Sequence, residues 1–155
     1  MLPATTSADT RNELTKNWQG RVKPVEDELI LQLESAKLTV FGPIFAAESN
    51  ENSLCILFES EKCAILVTGD RGSLGEMLLM HDAALPDVDL LVAGHHGSKN
   101  STSEELLNTV RPETVFISVG RNSYGHPARE LLDRLRSFGC NVFRTDLQGT
   151  LIFRR

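Results

Sequence analysis

The stretch Leu90-Leu91-Val92-Ala93-Gly94-His95-His96-Gly97-Ser98 decides the fold of this chain. Its apolar run predicts a short strand that is covered on both faces. Adjacent histidines flanked by glycines follow directly, so polar side chains come at a strand end, where α/β proteins place their sites. The stretch therefore predicts a parallel sheet with a candidate site at its carboxyl edge.

Two further stretches have the same layout. The run 63–68 leads into Gly69-Asp70, and the run 114–119 leads into Gly120 and then Tyr124-Gly125-His126-Pro127. Segments with helical spacing follow the three runs. The first contains Leu74, Met77, Leu78 and His81. The second contains Leu106, Leu107 and Val110 and follows a candidate capping box at 101–104. The third contains Leu131, Leu132, Leu135 and Phe138, and we expect it to begin with Pro127 and end at Gly139. Right-handed crossovers would bring the three strand ends, with Asp70, His95, His96 and His126, to one edge of the sheet.

The region before residue 60 has a different pattern. Leu29, Leu31 and Leu33 alternate with other residues, and short apolar runs at 38–41 and 54–58 predict antiparallel strands. The expected fold class is therefore α/β with a mixed sheet, an antiparallel meander followed by βαβαβαβ with its last strand at 142–143. We expect residues 1–25 to form an N-terminal arm with a short helix, and 26–155 to form the domain.

Composition sets the remaining limits. With 155 residues, 41% of them hydrophobic, the chain is long and apolar enough for one domain with its own core. No apolar run approaches the roughly 20 residues that a bilayer requires, so we expect the chain as given to be soluble. Acidic residues outnumber basic ones in 1–98 and the reverse holds in 99–155, a mild indication of an anionic substrate. Cys55, Cys63 and Cys140 lack C-x-x-C spacing and are expected to be packing residues.

Each candidate site residue also has a simpler interpretation. Asp70 could cap the helix that follows it, His96 could be a core histidine, and His126 could cap the helix ahead of Pro127. Their joint position at strand ends favours a site. His81 lies within a helical pattern, and we expect it to have only a structural role.

The residue types at these strand ends suit metal-dependent hydrolysis. Imidazole and carboxylate groups are ligands for zinc and for manganese, and a bound metal lowers the pKa of its water to about 7. Ser98 and Lys99 lead towards the amino end of the helix around 104–110, where free N–H groups predict a phosphate cradle.

Three blocks together resemble the back half of a metallo-β-lactamase-fold domain, an αββα sandwich. They are Leu66-Val67-Thr68-Gly69-Asp70, the stretch 92–98, and 117–122 with 124–127. The pattern Asn50-x-Asn52-Ser53-Leu54 and the closing stretch 144–150 make the C-terminal domain of ComEC-type DNA-uptake (competence) proteins the nearest branch. The similarity covers residues 26–155.

The resemblance implies a role for each candidate residue. Asp70, His96 and His126 match metal ligands, for zinc or manganese. Asp70, His95 and His96 are the catalytic candidates, with substrate contact as the alternative role for His95. Ser98, Lys99 and Arg121 are the candidates for phosphate binding. In the intact protein this implies a metal-dependent phosphodiester hydrolase, a nuclease acting on DNA, in a bacterial cell-membrane protein whose membrane spans lie elsewhere.

One departure limits that interpretation. The fold's H-x-H-x-D-H block is missing, because no histidine precedes His81. We therefore expect a fragment of a longer protein, with weak or no metal binding and little or no hydrolytic activity of its own. Apolar sheet surface left uncovered would make it self-associate, as a homodimer.

The same residues are compatible with three alternative roles. The chain could be a degenerate, metal-free paralogue, or a module that binds nucleic acid or a partner without catalysis. A serine hydrolase using Ser98 or Ser53 is a weaker alternative, since the chain has no G-x-S-x-G elbow.

Overall fold

A mixed sheet of seven strands forms the centre of the structure. The computed structural model describes residues 2–3, 24–25, 27–43 and 50–155. Its strands are β1 (Leu2–Pro3), β2 (Pro24–Val25), β3 (Glu28–Gln32), β4 (Ala36–Phe41), β5 (Cys55–Ser60), β6 (Ala64–Val67), β7 (Leu90–Val92), β8 (Thr114–Ile117) and β9 (Asn141–Arg144). Its helices are α1 (Ser73–Asp82), α2 (Glu104–Val110), α3 (Arg129–Ser137) and α4 (Thr145–Gln148), with a 3-10 turn at Gly94–His96.

The order of strands in the sheet follows the order in the chain. Strands β3 to β6 pair antiparallel, and β6 to β9 pair parallel. The predicted meander followed by parallel strands with intervening helices is confirmed. The predicted arm and short helix in 1–25 lie outside the described residues, apart from a short parallel pairing of β1 with β2.

The helices pack on one face of the sheet and form the core with it. Leu57, Leu66, Leu91, Val115 and Val142 are register partners in one row across five strands, and they point to this face. The helices contribute these fully buried side chains: Leu106, Leu107 and Val110 from α2, and Leu131 and Leu135 from α3. Their burial aligns the carboxyl ends of the parallel strands.

The opposite face of the sheet is also apolar. Because successive side chains of a strand point to opposite faces, this face carries the residues that lie next to the core-facing residues along each strand. One continuous row consists of Leu29, Val40, Ile56, Val67, Val92, Phe116 and Phe143. Phe116 lies edge-on to both Phe143 and Phe153, with ring centroids 5.8 and 6.5 Å apart. This second apolar face, which we call the rear face, is what a strand buried on both sides requires.

Two helix starts differ from the predictions. Helix α2 is capped by Ser103, whose hydroxyl accepts the Leu106 N–H, so the capping residue lies two positions after the predicted Ser101. Helix α3 begins at Arg129 rather than Pro127, because Ala128 keeps an extended backbone. Pro127 instead packs closely against Gly97. A Cβ added to Gly97 would lie only 2.7 Å from the Cβ of Pro127.

The state of the cysteines agrees with the sequence analysis. All three cysteines are free, and the buried Cys55 thiol donates to the Thr68 carbonyl. Burial raises the pKa of the Cys55 thiol to about 12, as expected of a packing residue. None of the helices in the described part of the chain is long and apolar enough to cross a membrane.

Candidate functional site

Asp70 and His96 meet at the carboxyl edge of the sheet. Asp70 follows β6, His96 follows β7, and these strands are parallel neighbours. The backbone N–H of His95 donates to the Gly69 carbonyl at 2.9 Å, which ties the two strand ends together. The His96 Nε2 atom lies 4.0 Å from Asp70 Oδ1, and both side chains are about half exposed. This pair is an accessible carboxylate–imidazole site.

The third strand end orients the His96 ring. His96 Nδ1 lies 2.8 Å from the Ser118 carbonyl, which follows β8. A carbonyl can only accept, so Nδ1 donates to it, and Nε2 is the nitrogen that lies towards Asp70. A ligand histidine is fixed in this way by a carbonyl partner on its other nitrogen.

His95 and His126 form a second pair beside the first. Their ring centroids are 5.7 Å apart, and the centroid of the Tyr124 ring lies 6.1 Å from that of His126. The buried Nδ1 of His126 has no hydrogen-bond partner within the described residues. His96 and His126 line one cavity of about 320 Å³. The structure thus brings all four predicted residues to one region, but as two pairs.

These residues supply only part of a metal site. Among the residues that the structure describes, no three His, Cys, Asp or Glu side chains come together as a ligand set. The Asp70–His96 pair and the unpaired His126 nitrogen have the right donor chemistry. A closed site needs a further ligand from elsewhere, consistent with the missing H-x-H-x-D-H block.

The simpler interpretations of Asp70 and His126 are wrong. The N-cap of α1 is Gly72 and the N-cap of α3 is Ala128, and neither helix start receives a side-chain cap from its own N-cap residue. His96 is exposed rather than a core histidine. His81, on the exposed surface of α1, contacts only the adjacent Asp82 in the described structure, at 2.8 Å.

The predicted phosphate cradle at the start of α2 is already filled. The buried Glu76 carboxylate of α1 accepts the N–H groups of Thr102 and Ser103 at 2.5 and 2.8 Å. Burial raises the pKa of Glu76, against the lowering effect of these hydrogen bonds. Because the Glu76 carboxylate already accepts these two N–H groups, they are not available to a phosphate.

The predicted phosphate-binding side chains differ in accessibility. Ser98 is 6% exposed, and its hydroxyl accepts the Asn100 N–H. Lys99 is exposed on the same loop, and Arg121 is exposed at the cavity beside His96 and His126. The two cations can therefore reach a ligand, whereas Ser98 is largely enclosed.

Charged side chains that the sequence analysis missed hold the loops of this region. The Glu51 carboxylate accepts the N–H groups of Gly72 and Gly75 at the start of α1, at 3.1 and 2.7 Å. Arg134 donates to the carbonyls of Ser101 and Thr102 at 3.0 Å. No local signal marked Glu76, because the spacing of Leu74, Met77 and Leu78 predicted a different apolar face of α1. In the structure Leu74 and Met77 are about half exposed and Glu76 is buried.

Comparison with solved structures defines the fold. The diiron β-hydroxylase CmlA from Streptomyces venezuelae matches with a TM-score of 0.53 and 13% identity, over 81% of this chain and 33% of that chain. A point mutant of CmlA matches with a TM-score of 0.50 and 11% identity, over 79% of this chain and 32% of its own. The chain therefore has the architecture of part of a metallo-β-lactamase fold.

Comparison with curated proteins gives the homologues. ComE operon protein 3 of Bacillus subtilis is 35% identical over 81% of this chain, and competence protein ComA of Neisseria gonorrhoeae is 38% identical over 68%. Recombination protein 2 of Haemophilus influenzae is 39% identical over 64%. These matches span 16%, 16% and 13% of the relatives' lengths. No family model matches the chain. Its homologues are competence proteins of the ComEC type.

Proposed function

We propose that this chain is the metallo-β-lactamase-like part of a DNA-uptake protein. Within a protein as long as its relatives, this part would hydrolyse a phosphodiester of DNA. The observation that carries the proposal is the accessible Asp70–His96 pair, 4.0 Å apart at adjacent parallel strand ends. The competence proteins among the homologues supply the link to DNA.

Asp70, His96 and His126 would hold the metal, zinc or manganese. The Ser118 carbonyl fixes the His96 ring so that Nε2 stays available, and His126 has a buried nitrogen without a partner in the described structure. A bound metal would supply hydroxide at neutral pH and polarise a phosphoryl oxygen. The remaining ligands would come from outside this set, so we expect weak metal binding and little or no turnover by the chain alone.

Cationic side chains of this chain would bind the substrate. Arg121 lines the cavity beside His96 and His126, and Lys99 is exposed on the loop that follows the histidines; both would offset charge on the phosphate. His95, beside His126 at 5.7 Å between ring centroids, would contact the scissile group. Ser98 would contribute through its loop backbone, since its side chain is largely enclosed.

Zinc titration by calorimetry tests the site. We expect measurable but weak binding by the parent chain, and an affinity at least about tenfold lower in Asp70→Ala and His96→Ala, because each removes a donor. His81→Ala is the matched control, because His81 is an exposed histidine paired only with Asp82 in the described structure. Equal zinc affinity in all four proteins would contradict the site, and rapid zinc-dependent hydrolysis by the chain alone would contradict the need for further ligands.

A second candidate is a module that binds nucleic acid or a partner without catalysis. The incomplete ligand set in the described residues favours it. This role predicts DNA affinity that falls with salt and is unchanged by a chelator. A serine hydrolase that uses Ser98 is not supported, because Ser98 is enclosed and its hydroxyl accepts the Asn100 N–H.

We also propose where the chain sits and what covers its rear face. In a protein of the relatives' length, the rear face would pack on the other half of the sandwich, and the domain would lie outside the membrane spans of a bacterial cell-membrane protein. For the chain alone, this face would support a homodimer.

A further inference from the structure

Tyr124 is an exposed aromatic ring at the mouth of the cavity beside the histidines. It is the only tyrosine of the chain, and it is 82% exposed. Its ring lies nearly parallel to His126, with an interplanar angle of 22° and 6.1 Å between centroids. An aromatic ring normally buries much of its area in the folded protein. Tyr124 therefore offers a ring face that the described fold leaves unused.

The loop that carries Tyr124 is held from within. The Asn122 side-chain oxygen accepts the N–H groups of Tyr124 and His126 at 3.1 and 3.0 Å. Its side-chain nitrogen donates to the carbonyls of Gly120 and His126 at 2.9 and 2.8 Å. This arrangement fixes the backbone on both sides of Tyr124, which reduces the ordering cost of binding a ligand there.

The cavity beside the ring has the size and lining of a small-ligand site. Its volume is about 320 Å³, and Arg121, His96, His126 and Tyr124 all line it. Arg121 brings a cation to the same cavity as the Tyr124 ring, and His96, whose Nε2 lies 4.0 Å from Asp70 Oδ1, is part of the cavity lining. A flat aromatic surface, a cation and a cavity together match a nucleobase attached to a phosphate.

We propose that Tyr124 and Arg121 form a subsite for an unpaired nucleotide, in which the base stacks on the Tyr124 ring and the phosphate lies near Arg121. This rests on the proposed function, and it adds that the site receives single-stranded DNA. In a duplex each internal base is stacked on its neighbours, so its face cannot reach Tyr124. Only an unpaired base presents its face without an unstacking cost.

The test measures binding of labelled DNA by fluorescence anisotropy, with a chelator present so that metal does not contribute. The probes are a short single-stranded oligothymidylate, an abasic oligomer of equal length and charge, and a blunt-ended duplex of two complementary strands. We expect Tyr124→Ala to weaken oligothymidylate binding about tenfold and Tyr124→Phe to stay within about twofold of the parent, because stacking needs the ring and not the hydroxyl. Leu147→Ala is the control, since Leu147 is also exposed, at 71%, but outside the cavity.

The abasic oligomer and the duplex separate stacking from charge. We expect Tyr124→Ala to leave binding of both unchanged, and Arg121→Gln to weaken binding of all three probes. Equal oligothymidylate affinity of parent and Tyr124→Ala, the same loss on the abasic oligomer, or no oligothymidylate binding by the parent would each overturn the subsite.

The zinc titration keeps this inference distinct from the proposed function. If zinc affinity depends on Asp70 and His96 while Tyr124→Ala has no effect on DNA binding, the subsite fails and the metal site stands. If oligothymidylate binding depends on Tyr124 while zinc affinity is unchanged in Asp70→Ala and His96→Ala, the subsite is supported and the proposed metal-dependent hydrolase is contradicted.

Discussion

At the scale of single residues, the loop after β7 holds a conformation that few residues adopt. His95, His96 and Thr102 have φ values of 49°, 53° and 53°, in the left-handed region. Such strain persists where surrounding contacts hold it, and it concentrates at functional sites. Here Glu76 binds the N–H groups and Arg134 the carbonyls of the loop. The far end of the loop that carries the histidines is thus held by the buried Glu76 and the half-buried Arg134.

Glu76 predicts a pH dependence of stability. Burial raises its pKa above 4.5, so the folded protein binds the proton more tightly than the unfolded chain does. Its contribution to stability is therefore fully present below about pH 4.5 and is lost as pH rises through the raised pKa. We expect Glu76→Gln to remove this part of the pH dependence in urea unfolding between pH 4 and pH 8.

The control is Glu105→Gln, on the exposed side of α2. It should keep the parent's pH dependence of the free energy of unfolding. If the difference in stability between parent and Glu76→Gln were constant over this pH range, Glu76 would not have the raised pKa.

At the scale of elements, the first turn of α1 depends on a carboxylate from another segment. Glu51 lies 24 residues before Gly75 and accepts its N–H at 2.7 Å, a role that an N-cap side chain usually fills. A Cβ on Gly75 would collide with the Glu51 carboxylate and would lie 3.1 Å from Arg71 Cδ. The glycine is thus required by a tertiary contact inside a helix.

Gly75→Ala should therefore destabilise the protein, although alanine is normally favoured over glycine within a helix by about 1 kcal/mol. We expect the free energy of unfolding to fall by about 1 kcal/mol, measured by urea denaturation, because the added methyl displaces Glu51 from the helix start. In a Glu51→Ala background the same change should be neutral or stabilising. An equal stabilisation by Gly75→Ala in both backgrounds would show that Glu51 does not constrain this turn.

At the scale of the whole molecule, the sheet has two apolar faces and only one is covered by the described helices. The rear face runs without a charged residue through the row from Leu29 to Phe143. Phe143 is 40% exposed at its far edge. Contiguous apolar surface of this kind is characteristic of an interface.

We expect the chain alone to sediment as a dimer at micromolar concentration. Phe143→Glu should shift it towards monomer, because the charge would be buried in the interface. Phe138→Glu is the matched control, with 36% exposure at the end of α3 on the helix side, and should remain dimeric. Circular dichroism would verify that both variants are folded. A parent chain that is monomeric throughout this concentration range would refute the self-association.

The sequence by itself determined the class of the fold and the edge of the sheet that carries the candidate site. Short apolar runs, helical spacing and right-handed crossovers are local or chiral rules, so β6 to β9 and the convergence of Asp70 with His96 could be predicted from them. Only the tertiary structure decided that Glu76 fills the predicted phosphate cradle, that Glu51 caps α1, and that Tyr124 stays exposed. These features depend on contacts between segments that are far apart in the chain. The packing of the whole domain sets the geometry of these contacts, so the local sequence does not show which residues will meet or at what distance.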